Sequence, residues 1–347
     1  MGRFKNQGIY LVWYLSIFFY LFFLTTTISN AGTSIALACS ILTTICVYRR
    51  EHIKVSFPDK SFLWPFGLFF LSLLVSALAL KDGKSLYSTW KYFTWTIPFW
   101  VFYFAGKAHF PKQVHSFATL AANFLLSGYA IYLALFLLPL GSRVKGFSSS
   151  PNLYAMRIES ILPYICLIAL LVMQQNRNKV RSISQRIKKV IIFLSVTSCF
   201  AGVLLTQSRG AYMGVFFGFV FVVCIHFLLR KKVSAKNIVV IVFMLFALLC
   251  AAFYAYHNNF KRGYDRERLL LWQSSYTMWN DHKVVGVGFA NWQKEYREHY
   301  ISPAAKEPNL PMPHNVVVQL FATTGLIGGI GYLLFVLGET GFLVKRM

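Results

Sequence analysis

Long apolar runs alternate with short polar connections from one end of the chain to the other. The runs fall at 9–28, 32–48, 62–80, 92–106, 117–140, 158–173, 190–206, 211–229, 237–254 and 316–337. A helix rises about 1.5 Å per residue, so about 20 apolar residues cross a hydrocarbon core of about 30 Å. The pattern therefore predicts an all-α integral membrane protein of about ten transmembrane helices, with 92–106, 158–173 and 190–206 on the short side. The first run follows Arg3 and Lys5 and continues without a small-x-small cleavage site, which predicts a retained span and not a removed signal. Three regions follow: a bundle of about nine spans over 1–254, a polar loop over 255–315, and a last span with a short tail over 316–347.

The polar loop has a pattern of its own. From Asp265, a suitable N-cap, the chain reads as a helix with Leu269, Trp272, Tyr276 and Trp279 on one face. A second helix is predicted from Phe289, with Trp292, Tyr296 and Tyr300 on one stripe. Aromatic stripes with polar backs suit the water–membrane interface, so these are expected to be short interfacial helices. Gly286-Val287-Gly288 supplies a flexible turn between them. Pro303, Pro308, Pro311 and Pro313 then force an extended path that delivers His314 to the start of the last span, closing the loop over the bundle.

Composition narrows the class. With 56% hydrophobic, 18% aromatic and 13% charged residues the chain lies far from a soluble domain. The formal charge of +24 does not point to nucleic acid, because the basic residues follow the loops. With the N-terminus inside, the inner connections hold more than half of them, and the 174–189 connection has six basic residues and no acid. That register places both termini in the cytoplasm and the long loop outside. All six cysteines fall inside apolar runs, which leaves neither a disulfide framework nor a cysteine metal knuckle.

Three side chains are candidates for chemistry on an anionic substrate. Arg268 stands in the first turn of its predicted helix, where orphan N–H groups, the helix dipole and a bidentate guanidinium all favour a phosphate. An interfacial arginine paired with Asp265 or with lipid phosphate is the competing reading. Arg209, in Gln207-Ser208-Arg209-Gly210, sits in a tight turn beside a glycine that permits close backbone approach, or is a snorkelling arginine at a helix end. His314 has a side chain whose ordinary pKa of about 6.5 suits a general base, or it is a capping or core histidine. Among the loop acids nothing singles out a carboxylate pair, and there is no paired-Asp motif, His/Cys cluster, GxSxG or Walker loop. No metal site and no cofactor are expected.

Five short motifs then follow one another in a recognisable order: Gln207-Ser208-Arg209-Gly210; Arg268 with Trp272; Asp281 through Gly286 and Gly288; His314-Asn315; and Thr324-Gly325-Leu326-Ile327-Gly328. Over roughly 190–335 the chain resembles the O-antigen ligase family, which includes lipid A-core:O-antigen ligases, O-antigen polymerases and O-linked protein oligosaccharyltransferases. The resemblance implies a metal-independent, inverting glycosyltransferase on the periplasmic face of the bacterial inner membrane. Its donor would be a glycan on undecaprenyl diphosphate, and its acceptor a sugar hydroxyl of lipid A-core. Arg209 and Arg268 would bind the diphosphate and His314 would sit by the acceptor hydroxyl. Membrane lipids would be the other partners. The chain ends soon after the span that follows His314, where family members usually continue. A polymerase of the same superfamily is the nearest alternative, although no arginine here has the Arg-x10-Gly spacing. A lipid-linked glycan transporter is the alternative of another class, with only Glu159 and Arg209 near its required intramembrane charges.

Overall fold

The computed structural model describes residues 7–139, 141–175, 183–228, 263–306 and 308–346, and every regular element among them is helical. Among the described residues nine helices precede the long loop: α1 (Gln7–Thr26), α2 (Asn30–Arg50), α3 (Lys60–Ala79), α4 (Gly83–Thr94), α5 (Ile97–Lys107), α6 (Lys112–Tyr132), α7 (Pro151–Gln175), α8 (Ile183–Leu205) and α9 (Arg209–Leu228). A π-helical segment, Leu133–Leu137, prolongs α6. The loop carries α10 (Gly263–Asp281) and α11 (Trp292–Glu295), and the last helix is α12 (Val316–Arg346). Among the described residues six helices are long and apolar enough to cross a membrane, namely α1, α2, α3, extended α6, α8 and α12. The apolar run 237–254 lies outside the described residues.

One predicted span is not a single helix. The run 92–106 is divided at Trp95-Thr96 between the end of α4 and the start of α5, whose 11 residues reach only about 16 Å. Pro98 is the cause in the sequence. It occupies the second position of α5, where its missing N–H costs nothing, whereas in a continuous helix it would have left the Thr94 carbonyl without its donor. Asp82 caps α4 from the other end, accepting from the backbone N–H groups of Lys84 and Ser85 at 3.1 and 3.2 Å.

The chain forms two compact units. The first comprises Met1–Lys54 and Pro98–Phe221. Its core joins α6, α7 and α8 through Leu126, Tyr154, Ile158, Ile165 and Cys199, all buried. Asn123 of α6 is buried there too and is fully engaged, donating to the Ser195 carbonyl at 3.0 Å and accepting from the Ser127 hydroxyl at 2.9 Å. Between α1 and α2 the Trp13 indole donates to Thr44 Oγ1 at 2.9 Å. At one end of this unit Tyr10 bonds Glu51 and Trp13 packs edge-on to Phe110. At the other end the segment after Gly141 pairs with the turn before α9: Val144 N–H donates to the Leu205 carbonyl at 3.1 Å and Gln207 Nε2 to the Gly141 carbonyl at 2.8 Å.

The second unit comprises Val55–Ile97 and Val222–Met347. Its axis is the packing of α12 on α3, with Phe69, Leu73 and Leu320 buried between them. Small residues make the approach close: a methyl group at Gly331 would overlap the Ser72 side chain, and one at Gly338 would overlap Pro65. The loop helices settle on this pair, α10 against α12 and α11 against both the neighbouring π-helical turn Tyr296–Tyr300 and α12.

Candidate functional site

α10 begins at Gly263, two residues before the expected N-cap, so Arg268 stands in the second turn and its backbone N–H is already inside the helix. The helix-terminus argument for anion binding therefore does not apply at Arg268, whose side chain is exposed. The face of α10 that packs inward is Glu267, Leu271, Ser274, Ser275 and Met278, about one residue round from the aromatic stripe. Leu269 and Tyr276 of that stripe are exposed, while Trp272 and Trp279 are half-buried. Two polar members of the inward face, Ser275 and Glu267, have partners. Ser275 Oγ donates to the Leu271 carbonyl at 2.7 Å and accepts from the Trp292 indole at 2.9 Å. Glu267 accepts from the Lys306 N–H at 3.0 Å.

The second loop helix starts at Trp292, three residues later than expected, and passes into a π-helical turn at Tyr296. Its aromatic stripe faces inward instead of toward an interface: Trp292 and Tyr296 are buried and stack at 4.9 Å against α10. Burial, and then the Glu267 carboxylate, push the Tyr296 hydroxyl above its ordinary pKa, so it stays protonated. Tyr300 donates to Asp281 Oδ2 at 3.0 Å and ties this turn to the end of α10.

Among the described residues from Ile301 to Asn315 there is no regular helix, and three bonds hold the segment. Besides the Lys306 bond, Gln293 donates to the Asn309 carbonyl at 3.2 Å, and the Trp272 indole donates to the Pro313 carbonyl at 2.9 Å. His314 follows at once, exposed, in left-handed backbone with φ 55°. Asn315 then caps α12, its Oδ1 accepting from the N–H groups of Val317 and Val318 at 3.0 and 3.2 Å. His314 is therefore neither the cap nor a core residue. Trp272, one turn beyond Arg268, links the α10 helix directly to the residue before His314.

Two of the glycine motifs meet. At Gly325 (φ 62°, ψ −157°) α12 breaks, and the Lys283–Gly288 segment fills the break. Val287 and Gly288 N–H groups donate to the carbonyls of Ala322 and Thr323 at 3.1 and 2.8 Å. In return Leu326 and Ile327 donate to the carbonyls of Lys283 and Val284 at 2.8 and 3.3 Å. Ser76 of α3 donates to the Val285 carbonyl at 2.7 Å, so the peptide groups around the break are satisfied. Sequence reading treated Gly286-Val287-Gly288 as a turn and missed this interlock. It also missed Asn291, which donates to Asp82 Oδ2 at 2.9 Å and joins the loop to the start of α4. The Ser85 hydroxyl, with the Lys84 N–H and Asn291, holds the Asp82 carboxyl below the usual carboxylate range against the opposing effect of partial burial.

Arg209 lies in the first unit, where it begins α9. Ser208, buried, accepts from the Ala211 N–H at 3.4 Å and caps the helix, so Arg209 occupies the first turn, where the dipole favours an anion. The preceding turn is held by Arg143, whose Nε donates to the Thr206 carbonyl at 3.1 Å while Nη2 donates to Asn152 Oδ1 at 2.8 Å.

Residues 192–333 match the family model described as O-antigen ligase. The matched segment contains Arg209, Arg268 and His314, both halves of the interlock, and the Trp272–Pro313 bond. Comparison with curated proteins and with solved structures found no match. The family match, on a chain with six membrane-length apolar helices among its described residues, supports a membrane enzyme of the glycosyltransferase type in the O-antigen pathway.

Proposed function

We propose that the protein is an O-antigen ligase, transferring glycan from undecaprenyl diphosphate to a sugar hydroxyl of lipid A-core with inversion at the anomeric carbon. The acceptor hydroxyl would attack that carbon and give its proton to His314. The bond to the diphosphate oxygen breaks with its electron pair, and the leaving group gathers negative charge. Arg209 and Arg268 are assigned to that diphosphate. A fixed donor of this kind contributes on the order of 10²–10³ in rate, and a positioned base about 10²–10⁴. The activation already resides in the lipid diphosphate, so the reading invokes no cofactor.

The observation that carries this reading is the placement of His314. It is an exposed histidine held between the Trp272–Pro313 bond and the Asn315 cap, at the end of a connector pinned to the helix of Arg268. The proposed topology has about ten spans, an inner-membrane location and a periplasmic loop. It is supported by contacts between connections that it assigns to one side, Asp82 with Asn291 and Gln207 with Gly141. Gel analysis of lipopolysaccharide from a deletion strain tests the reading. Loss of all long chains with lipid-linked polymer accumulating is expected, and core bearing a single repeat unit would make the protein a polymerase instead.

A further inference from the structure

We infer that Trp272 is a positioning residue for His314, acting through the Pro313 carbonyl; the inference rests on the proposed role of His314. The indole has a single N–H, and here it is spent on the Pro313 carbonyl at 2.9 Å. That carbonyl belongs to the peptide group whose nitrogen is His314's own. Because the peptide is planar, anchoring its oxygen fixes the plane from which the His314 side chain departs. His314 then adopts φ 55°, a region that a residue with a Cβ enters at a cost and keeps only where its neighbours hold it. Asn315 supplies the hold on the other side, its side chain accepting two N–H groups of α12 and its carbonyl accepting from Gln319 at 2.9 Å. With both flanking groups bonded, the direction of the His314 Cα–Cβ bond is set, and one of the two anchors is Trp272.

Position along α10 gives this bond a function beyond packing. Trp272 and Arg268 are four residues apart and share a helix face, so one rigid element carries the proposed phosphate-binding guanidinium and the anchor of the proposed base. The connector does not depend on Trp272 for its course, because Glu267 holds Lys306 and Gln293 holds Asn309. Removing the indole N–H should therefore loosen His314 locally without releasing the loop. A misplacement of about 1 Å at a reacting group costs on the order of 10²-fold in rate.

The test uses the full-length protein with an undecaprenyl-diphosphate glycan and lipid A-core, comparing Trp272→Phe, His314→Ala and the double variant. Benzothienylalanine at 272 serves as a fourth variant that keeps the bicyclic ring and lacks only the N–H. Trp272→Phe and the benzothienyl protein should lose about ten- to a hundredfold in turnover while the donor KM stays within about twofold. In the His314→Ala background the Phe change should cause no further fall, because it acts through the missing side chain. Wild-type turnover in the benzothienyl protein, an equal fall in both backgrounds, or a raised donor KM would overturn the positioning role. Full turnover in His314→Ala would instead remove the reading of the site itself, which separates the two failures.

Discussion

Replacing Gly325 by alanine attacks the interlock at its tightest point. The glycine sits at φ 62°, ψ −157°, a conformation essentially reserved for glycine, so any side chain there costs about 1–3 kcal/mol. A Cβ would also stand 2.6 Å from the Val285 nitrogen and overlap the Val284 carbonyl, which is backbone and cannot swing aside. The Lys283–Gly288 segment would have to retreat, stretching the bonds from Leu326 to Lys283 and from Ile327 to Val284. A buried peptide group left without its partner costs about 1–3 kcal/mol. Together these give a destabilisation of about 2–6 kcal/mol. Gly67→Ala in α3 is the control: nothing lies within 4 Å of its added methyl, and alanine favours the helix by about 0.5–1 kcal/mol. Tryptophan-fluorescence melting of the detergent-solubilised protein should place Gly325→Ala on the order of 5–10 °C below wild type, with Gly67→Ala at or above it. Equal melting of the two variants would refute the interlock as a structural constraint.

Arg268→Lys keeps the charge and loses the two-pronged grip, so capping of core by glycan should fall by about tenfold or more; near-normal capping would mark an interfacial arginine. Cysteines introduced at Ser184 and Lys306 should label from opposite sides of the membrane, and labelling from one side would overturn the topology. Asp82 predicts a pH dependence. Its carboxyl is held below its unfolded value of about 3.9, so its stabilising contribution is complete above about pH 4 and fades as pH falls through the folded value. Melting curves from pH 3 to 7 should therefore show an acid-side loss that Asp82→Asn flattens, and an identical slope in both proteins would refute it.

The six membrane-length helices were legible because a bilayer imposes length and apolarity on each helix separately, and that information is local. The run 92–106 misled for the same reason: averaging over it hid Pro98, which starts α5 instead of extending a longer helix. The candidate residues were singled out by local chemistry and then by motif order, and the structure added the bonds that link the Arg268 helix to the residue before His314. No periodicity announces that Lys283–Gly288 enters the break at Gly325, since that pairing is backbone to backbone and joins segments some 40 residues apart. The buried face of α10 escaped as well. It uses Glu267, Ser274 and Ser275, polar residues that a hydrophobic pattern assigns outward, and Glu267 and Ser275 are satisfied by partners distant in sequence. The stripe of Trp292 and Tyr296 was visible, but its direction was decided by α10 packing against it.

The most direct test of the account is glycan transfer by purified protein from undecaprenyl diphosphate to lipid A-core, with wild type and His314→Ala compared at equal expression. The account predicts transfer by wild type that EDTA leaves unchanged, a fall of about 10²–10⁴ in His314→Ala, and retained donor binding in that variant. Undiminished transfer in well-inserted His314→Ala, or no transfer to lipid A-core by wild type, would contradict it.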